Sequence, residues 1–177
     1  LFIYSSLQGI DSYKDRGFFA VFHAISAYCN AGFSISSTGL YDESLRFNYY
    51  MQWVVMILIV MGGLGYNIAS NFIQYVKHFF YNLFNKNNKK FISRVITLNT
   101  KIVIYTTILL IVVGTGFFLI SEQETFLSEH KTVFGKFTTA MFSSVTSRTA
   151  GFNTIDMSNF TVPGILFMIF LMWIGAS

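Results

Sequence analysis

Residues 102–120 read IVIYTTILLIVVGTGFFLI, an uncharged run bounded by Lys101 and Glu122. At 1.5 Å of rise per residue, a helix of this length covers a hydrocarbon core of ~30 Å. This run sets the fold class as an all-α integral membrane protein. The composition around it agrees: 53% of residues are hydrophobic, 11% are charged and the mean hydropathy is +0.53. Soluble domains carry about 25% charged residues. A chain with phenylalanine 21 times and a single proline is matched to lipid and neighbouring helices, not to water.

Outward from this run, the charges are unevenly laid out. Between Lys77 and Lys101 there are six basic residues and no acid. The eight acids all fall in Asp11–Glu43 or Glu122–Asp156. The basic block is too short, and too mixed with Phe and Tyr, for a nucleic-acid surface. It fits a cytoplasmic loop, where Lys and Arg accumulate. The remaining Lys and Arg are spread over several loops and mixed with acids. Cys29 is alone, so an internal disulfide and a cysteine metal site are excluded. The chain opens on Leu1 and stops inside an apolar run at Ile174-Gly175-Ala176-Ser177, so it reads as a piece of a longer protein.

Two more apolar segments read as spans. One covers Tyr50–Val76, with Gly62-Gly63-Leu64-Gly65 inside it, small residues that let helices approach closely in lipid. Beyond the glycines, Asn67, Ser70, Asn71 and Gln74 recur at helical spacing. This polar stripe serves either interhelical hydrogen bonds or a water-filled vestibule. The other span runs from Val162 through GILFMIFLMWIGAS.

Phe18–Cys29 (FFAVFHAISAYC) and Phe137–Ser147 (FTTAMFSSVTS) are apolar but short. Segments of about 10–14 residues read as re-entrant or buried helices. Each is followed by the same tripeptide, Ala31-Gly32-Phe33 and Ala150-Gly151-Phe152, then by polar residues and a spanning helix. We read this as an internal repeat, with both loops entered from outside and lying at similar depth.

Irregular backbone at membrane depth is tolerated only when buried in protein or lining an aqueous path. Its carbonyl oxygens then need partners, and a dehydrated cation is one. The C-terminal end of each short helix would also favour a cation. The expected metal ligands are therefore the backbone oxygens of Asn30, Ala31, Gly32, Thr149, Ala150 and Gly151, with K⁺, or Na⁺, as the permeant ion. The bland alternative is that each glycine only makes a tight turn or a helix contact. Phe33 and Phe152 are expected to pack the loops against neighbours. Arg148, next to the second loop, is expected to point away from the ion path and brace the loop from behind. His23 reads as a packing or hydrogen-bonding histidine, and Cys29 as a small buried hydrophobe.

An intramembrane enzyme would need polar catalytic groups at depth, yet the expected spans contain no acid and His23 has no evident partner. A non-transporting assembly subunit is the other class; repeated irregular loops argue against it.

The runs HAISAYCNAGFS, GGLGYNIAS, SSVTSRTAGFNT and FLMWIGAS resemble the Trk/Ktr/HKT cation-uptake superfamily, in particular the membrane subunit of bacterial Ktr or Trk potassium transporters. The resemblance covers almost the whole chain. It implies a pore of four helix–pore loop–helix repeats, of which this chain holds two. Residues 1–76 would be repeat two: the end of a first helix, pore helix 17–29, filter 30–33 and second helix 50–76. Residues 77–101 would be the cytoplasmic linker. Residues 102–177 would be repeat three, with first helix 102–120, pore helix 135–147, filter 149–152 and a truncated second helix 162–177. Gly32 and Gly151 match the family's filter glycines. The resemblance further implies potassium uptake, with sodium permeation or coupling as the variant. It also implies a homodimer, a cytosolic ring of nucleotide-binding regulatory subunits, and a multi-pass place in the bacterial cell membrane.

Overall fold

The computed structural model describes residues 3–4, 13–42, 45–65, 68, 70–71 and 98–175. Regular structure among them is entirely helical: α1 (Tyr13–Tyr28), α2 (Tyr49–Gly63), α3 (Leu98–Ser121), α4 (Val133–Thr149) and α5 (Val162–Gly175). Single 3₁₀ turns at Phe126–Glu129 and Met157–Asn159 lead into α4 and α5.

Helix starts follow local chemistry. Asn48 caps α2 by accepting from the Met51 amide at 3.1 Å, and Thr132 caps α4 by accepting from the Gly135 amide at 3.0 Å. The Thr161 hydroxyl accepts from the Gly164 amide at the start of α5. The α3 helix is the one described helix long and apolar enough to cross a membrane, and Tyr105, Leu109, Val112 and Ile120 on it are exposed. The bilayer or a partner must cover such a face.

The expected span Tyr50–Val76 is not one continuous helix. It ends at Gly63, and Gly65 takes a left-handed φ of +75° that favours glycine. The chain is helical again at Ile68 and Ser70–Asn71. Of the expected polar stripe, Ser70 and Asn71 are half-buried, whereas Asn67 and Gln74 lie outside the described residues. Most of the expected linker 77–101 also lies outside them, but its last residues, from Leu98, already belong to α3. Leu98–Lys101 lack a helix breaker, so the helix runs on past the charge.

The organising element is α4, which packs on α2, α3 and α5, while α1 packs on α2. From Thr138 to Ser147 every residue but Met141 is buried, although six of those residues carry hydroxyls. Each hydroxyl has an outlet. Ser143 and Ser147 donate to their own helix, at Thr139 O and Ser144 O. Ser144 donates across to the Ile111 carbonyl of α3, and Trp53 Nε1 of α2 donates to Thr138 Oγ1. Small residues allow these approaches. A side chain on Gly114 would overlap Ser144 Oγ, and one on Gly62 would overlap the Tyr28 carbonyl.

A second tie joins the segments ahead of α2 and α4. His130, buried between α3 and α4, has Nδ1 3.0 Å from the Tyr49 hydroxyl and Nε2 3.1 Å from the Thr139 hydroxyl. Beside it Arg46 pairs with Glu129 at 3.1 Å and lies over the Phe47 ring. Burial first, then the Arg46 and Lys136 charges, push the His130 pKa below its ordinary value.

Two outcomes follow for the full-length protein. Gly62→Ala should lower the melting temperature, by an overpacking cost of ~1–3 kcal/mol. Gly116→Ala, where nothing lies within 4 Å, should leave it equal or higher. Because His130 is held neutral, the unfolded chain binds the extra proton as pH drops through the ordinary histidine value of ~6.5. Stability should therefore fall from neutral towards acid pH, and thermal melts of His130→Gln across that range should show a shallower decline.

Candidate functional site

The helices α1 and α4 both run into the Ala-Gly-Phe loops, and the two loops end their helices in closely related ways. The Ala31 amide returns to the Ser26 carbonyl at 2.9 Å, and the Gly151 amide returns to the Thr146 carbonyl at 3.1 Å. The hydroxyls of the same two residues then hold the loop. Ser26 Oγ donates to the Phe33 carbonyl and Thr146 Oγ1 to the Phe152 carbonyl, both at 2.8 Å. The first loop fits one extra residue into this frame. Asn30 absorbs it with a φ of +52°, a conformation Asn tolerates better than most residues. Gly32 and Gly151 share the left-handed region at +70° and +74°.

The loops also touch. A Cβ on Gly32 would overlap the Ala150 carbonyl oxygen, so glycine is required there by contact as well as by φ. The Leu40 amide donates to the Asn153 carbonyl at 3.1 Å, and Gly39 lies against the Asn153 carboxamide. At Gly151, by contrast, a Cβ would meet nothing within 4 Å.

The other sequence-derived candidates fall out unevenly. Phe152 is buried in the core shared by α1, α2 and α4, with its ring 6.4 Å from that of His23. Phe33 is 69% exposed, so no neighbour among the described residues covers its ring. Cys29, expected to be buried, is exposed where the chain leaves α1. Arg148 lies inside α4 as its penultimate residue, and Thr149 is that helix's last residue, two residues later than the expected end at 147. The Arg148 guanidinium donates to Thr107 Oγ1 on α3 at 3.5 Å rather than to the loop, because its side chain extends over Gly175 into the crevice between α2 and α3.

His23 is fully buried and stacked on Phe19. Its Nδ1 lies 2.9 Å from the Phe19 carbonyl, which can only accept, so Nδ1 carries the proton. Nε2 then accepts from Ser34 Oγ at 2.9 Å, tying α1 to the residue after the first loop. Asn30 is anchored too: its carboxamide donates to the Ile59 carbonyl at 3.2 Å and accepts from the Gly63 amide at 3.0 Å.

Sequence reading passed over Glu122 as a flanking charge. It is a fully buried carboxylate at the end of α3. It accepts from the hydroxyls of Ser121, Thr125 and Thr161 and from the Thr161 amide that opens α5. That amide end of a helix is a favourable place for a negative charge. Thr125 and Thr161, set around an acid at a helix end, were the available signal.

What the loops leave without a donor among the described residues is backbone oxygen. Among the described residues no hydrogen bond reaches the carbonyls of Asn30, Ala31, Gly32, Thr149, Ala150 or Gly151, while those of Phe33 and Phe152 are taken. The helix carbonyl ends nearby add negative potential at the same place. The arrangement can accept from water or coordinate a cation.

Comparison with known proteins gives this geometry a context. The family model described as a cation transport protein, TrkH, matches residues 1–177. The Ktr system potassium uptake protein B of Vibrio alginolyticus is 34% identical over 162 residues, covering 90% of this chain and 32% of that protein. The potassium/sodium uptake protein NtpJ of Enterococcus hirae is 32% identical over 159 residues, with the same coverage of each. The Ktr system potassium uptake protein D of Bacillus subtilis is 31% identical over 170 residues, covering 94% of this chain and 34% of that protein. The chain thus spans about a third of the length of these curated relatives. With its whole length matched by the family model, the chain belongs to the TrkH family of cation transport proteins, as part of a Trk/Ktr-type membrane subunit.

Proposed function

We propose that this chain supplies two of the loops of a potassium-selective pore through which the full-length protein takes up K⁺ across the bacterial cell membrane. The observation that carries this reading is the set of six carbonyls without a hydrogen-bond donor among the described residues, on two touching loops at the C-terminal ends of α1 and α4. In a membrane such carbonyls need a polar occupant, and a partly dehydrated cation supplies the strongest one. In this reading α1 and α4 are re-entrant pore helices and residues 30–33 and 149–152 are filter segments. The two units are repeats of a larger four-repeat ring. Phe152 packing near His23 suggests how neighbouring units would interlock, and Phe33 would make the same contact with a preceding unit.

The hydroxyls of Ser26 and Thr146 then act as rear braces. By holding the Phe33 and Phe152 carbonyls, they fix the course of the loop without occupying the carbonyls offered to the ion. Arg148 stays clear of the ion path. Ser70 and Asn71, with Asn67 and Gln74, would line the inner vestibule. A homodimer and a cytosolic nucleotide-binding ring complete the assembly in this reading. The name of the Enterococcus hirae relative, a potassium/sodium uptake protein, keeps sodium permeation or coupling as the variant.

The test is rubidium uptake and potassium-limited growth in cells lacking their own uptake systems, using the full-length gene with any regulatory partner supplied. The wild type should transport, and absence of uptake despite confirmed membrane expression would overturn the reading. The two glycines should behave differently. Gly151→Ser places a side chain in open space at a strained φ, so the protein should assemble while discrimination against sodium falls. Gly32→Ser collides with the Ala150 carbonyl, so both expression and uptake should fall.

Thr146→Val and Ser26→Ala each free one loop carbonyl from its brace. Leaving a buried acceptor unpaired costs ~1–3 kcal/mol. Thr146, whose bond to the Phe152 carbonyl is buried where that of Ser26 to Phe33 is only partly so, should show the larger loss of melting temperature, and both should relax rubidium-over-sodium selectivity in flux assays.

A further inference from the structure

A groove of about 310 Å³ runs between α2 and α3 over the flank of α4. Trp53, Met56, Ile57, Ile108, Ile111 and Met141 contribute to walls that are apolar almost throughout. The volume lies at the low end of small-molecule sites, ~300–1,000 Å³. One end merges with a smaller cleft through Val60, Leu64, Thr107 and Val145, and that cleft adds Arg148.

This end is basic and undersupplied with partners. The Arg148 Nε is buried without a hydrogen bond, and the guanidinium's contact with Thr107 is long at 3.5 Å. Among the described residues no carboxylate comes within ion-pair distance of Arg148; the ion pair formed by those residues is Arg46–Glu129. Lys101 is exposed on α3 and precedes two groove-lining residues, Ile104 and Ile108, by three and seven positions, so it stands on the same helix face. The rise from Lys101 to Thr107 is ~9 Å, so the two basic groups grade from the helix end towards the groove.

We propose that the groove is a binding site for an anionic phospholipid, with an acyl chain along the α2–α3 walls and its phosphate held between Lys101 and Arg148. A neutral lipid could fill the apolar part but would leave Arg148 in its low-dielectric crevice without a counter-charge, which is costly at membrane depth. An aqueous anion would satisfy the charge but leave the apolar walls bare. An anionic lipid meets both demands at once. The proposal stands apart from the ion-path reading, because none of its argument uses the loop carbonyls.

Trp53 on the groove wall provides the readout. The full-length protein would be reconstituted in lipid with brominated acyl chains, and the Trp53 signal taken as the difference between wild type and Trp53→Phe. Brominated phosphatidylglycerol should quench this signal at an effective concentration about fivefold lower than brominated phosphatidylcholine, the scale of one basic residue near a charged leaflet. Arg148→Gln should remove the preference. Lys101→Gln, at an exposed position, should reduce it even if Arg148→Gln fails to assemble. Val60→Phe should fill the groove and protect Trp53 from both lipids. Equal quenching by the two lipids in the wild type would overturn the proposal in favour of ordinary solvating lipid. No quenching by either would overturn it in favour of a groove covered by protein, from the same chain or a second copy.

Discussion

A helix rich in serine and threonine, placed at the centre of a membrane protein, must be enclosed by protein on all sides. That constraint on α4 shapes much of the described structure. Lipid offers no partners for its hydroxyls or for the backbone beyond its last turn. The neighbouring helices therefore come close, through Gly114 on α3, and meet the hydroxyls individually at the Ile111 carbonyl, the Trp53 indole and the His130 ring. The arrangement fixes where the Ala150-Gly151-Phe152 loop begins, and through the contact of Gly32 with Ala150 it fixes the other loop as well.

The same logic divides the backbone oxygens into two groups. Those of Phe33 and Phe152 accept from Ser26 and Thr146 and are spent on structure. Those of residues 30–32 and 149–151 have no protein donor among the described residues. A loop held from behind by hydroxyls, with its other carbonyls free, is rigid and electronegative without using any charged side chain. A full negative charge, on Glu122, is kept at the far end of α3 and tied into the start of α5. Its role in the fold is to join two helices, and four donors compensate it there.

The sequence by itself determined the membrane class, through an uncharged run at 102–120 whose length matches the hydrocarbon core. It also located the short helices ahead of both Ala-Gly-Phe loops, because their apolar runs are cut short by glycine and polar residues. These features are legible because they depend on local length, composition and backbone freedom. Family membership was legible too, since motifs such as SRTAGFNT extend over contiguous residues.

Other features depended on what the chain meets in space. The break of α2 at Gly63 was hidden because the apolar and polar periodicity carries on past it, whereas the αL turn at Gly65 is a backbone choice among several glycines. Glu122 read as a boundary charge because its donors, Thr125 and Thr161, come together only when α5 folds back on α3. Phe33 and Phe152 occupy matching places in the sequence, yet Phe33 is exposed and Phe152 is buried, because Phe152 reaches the core formed with α1 and α2 whereas no described residue covers the Phe33 ring. Local sequence determined where most helices lie and where the two Ala-Gly-Phe loops interrupt them. Tertiary packing decided which carbonyls, charges and rings found partners, because a partner is a matter of distance across the fold and not of position along it.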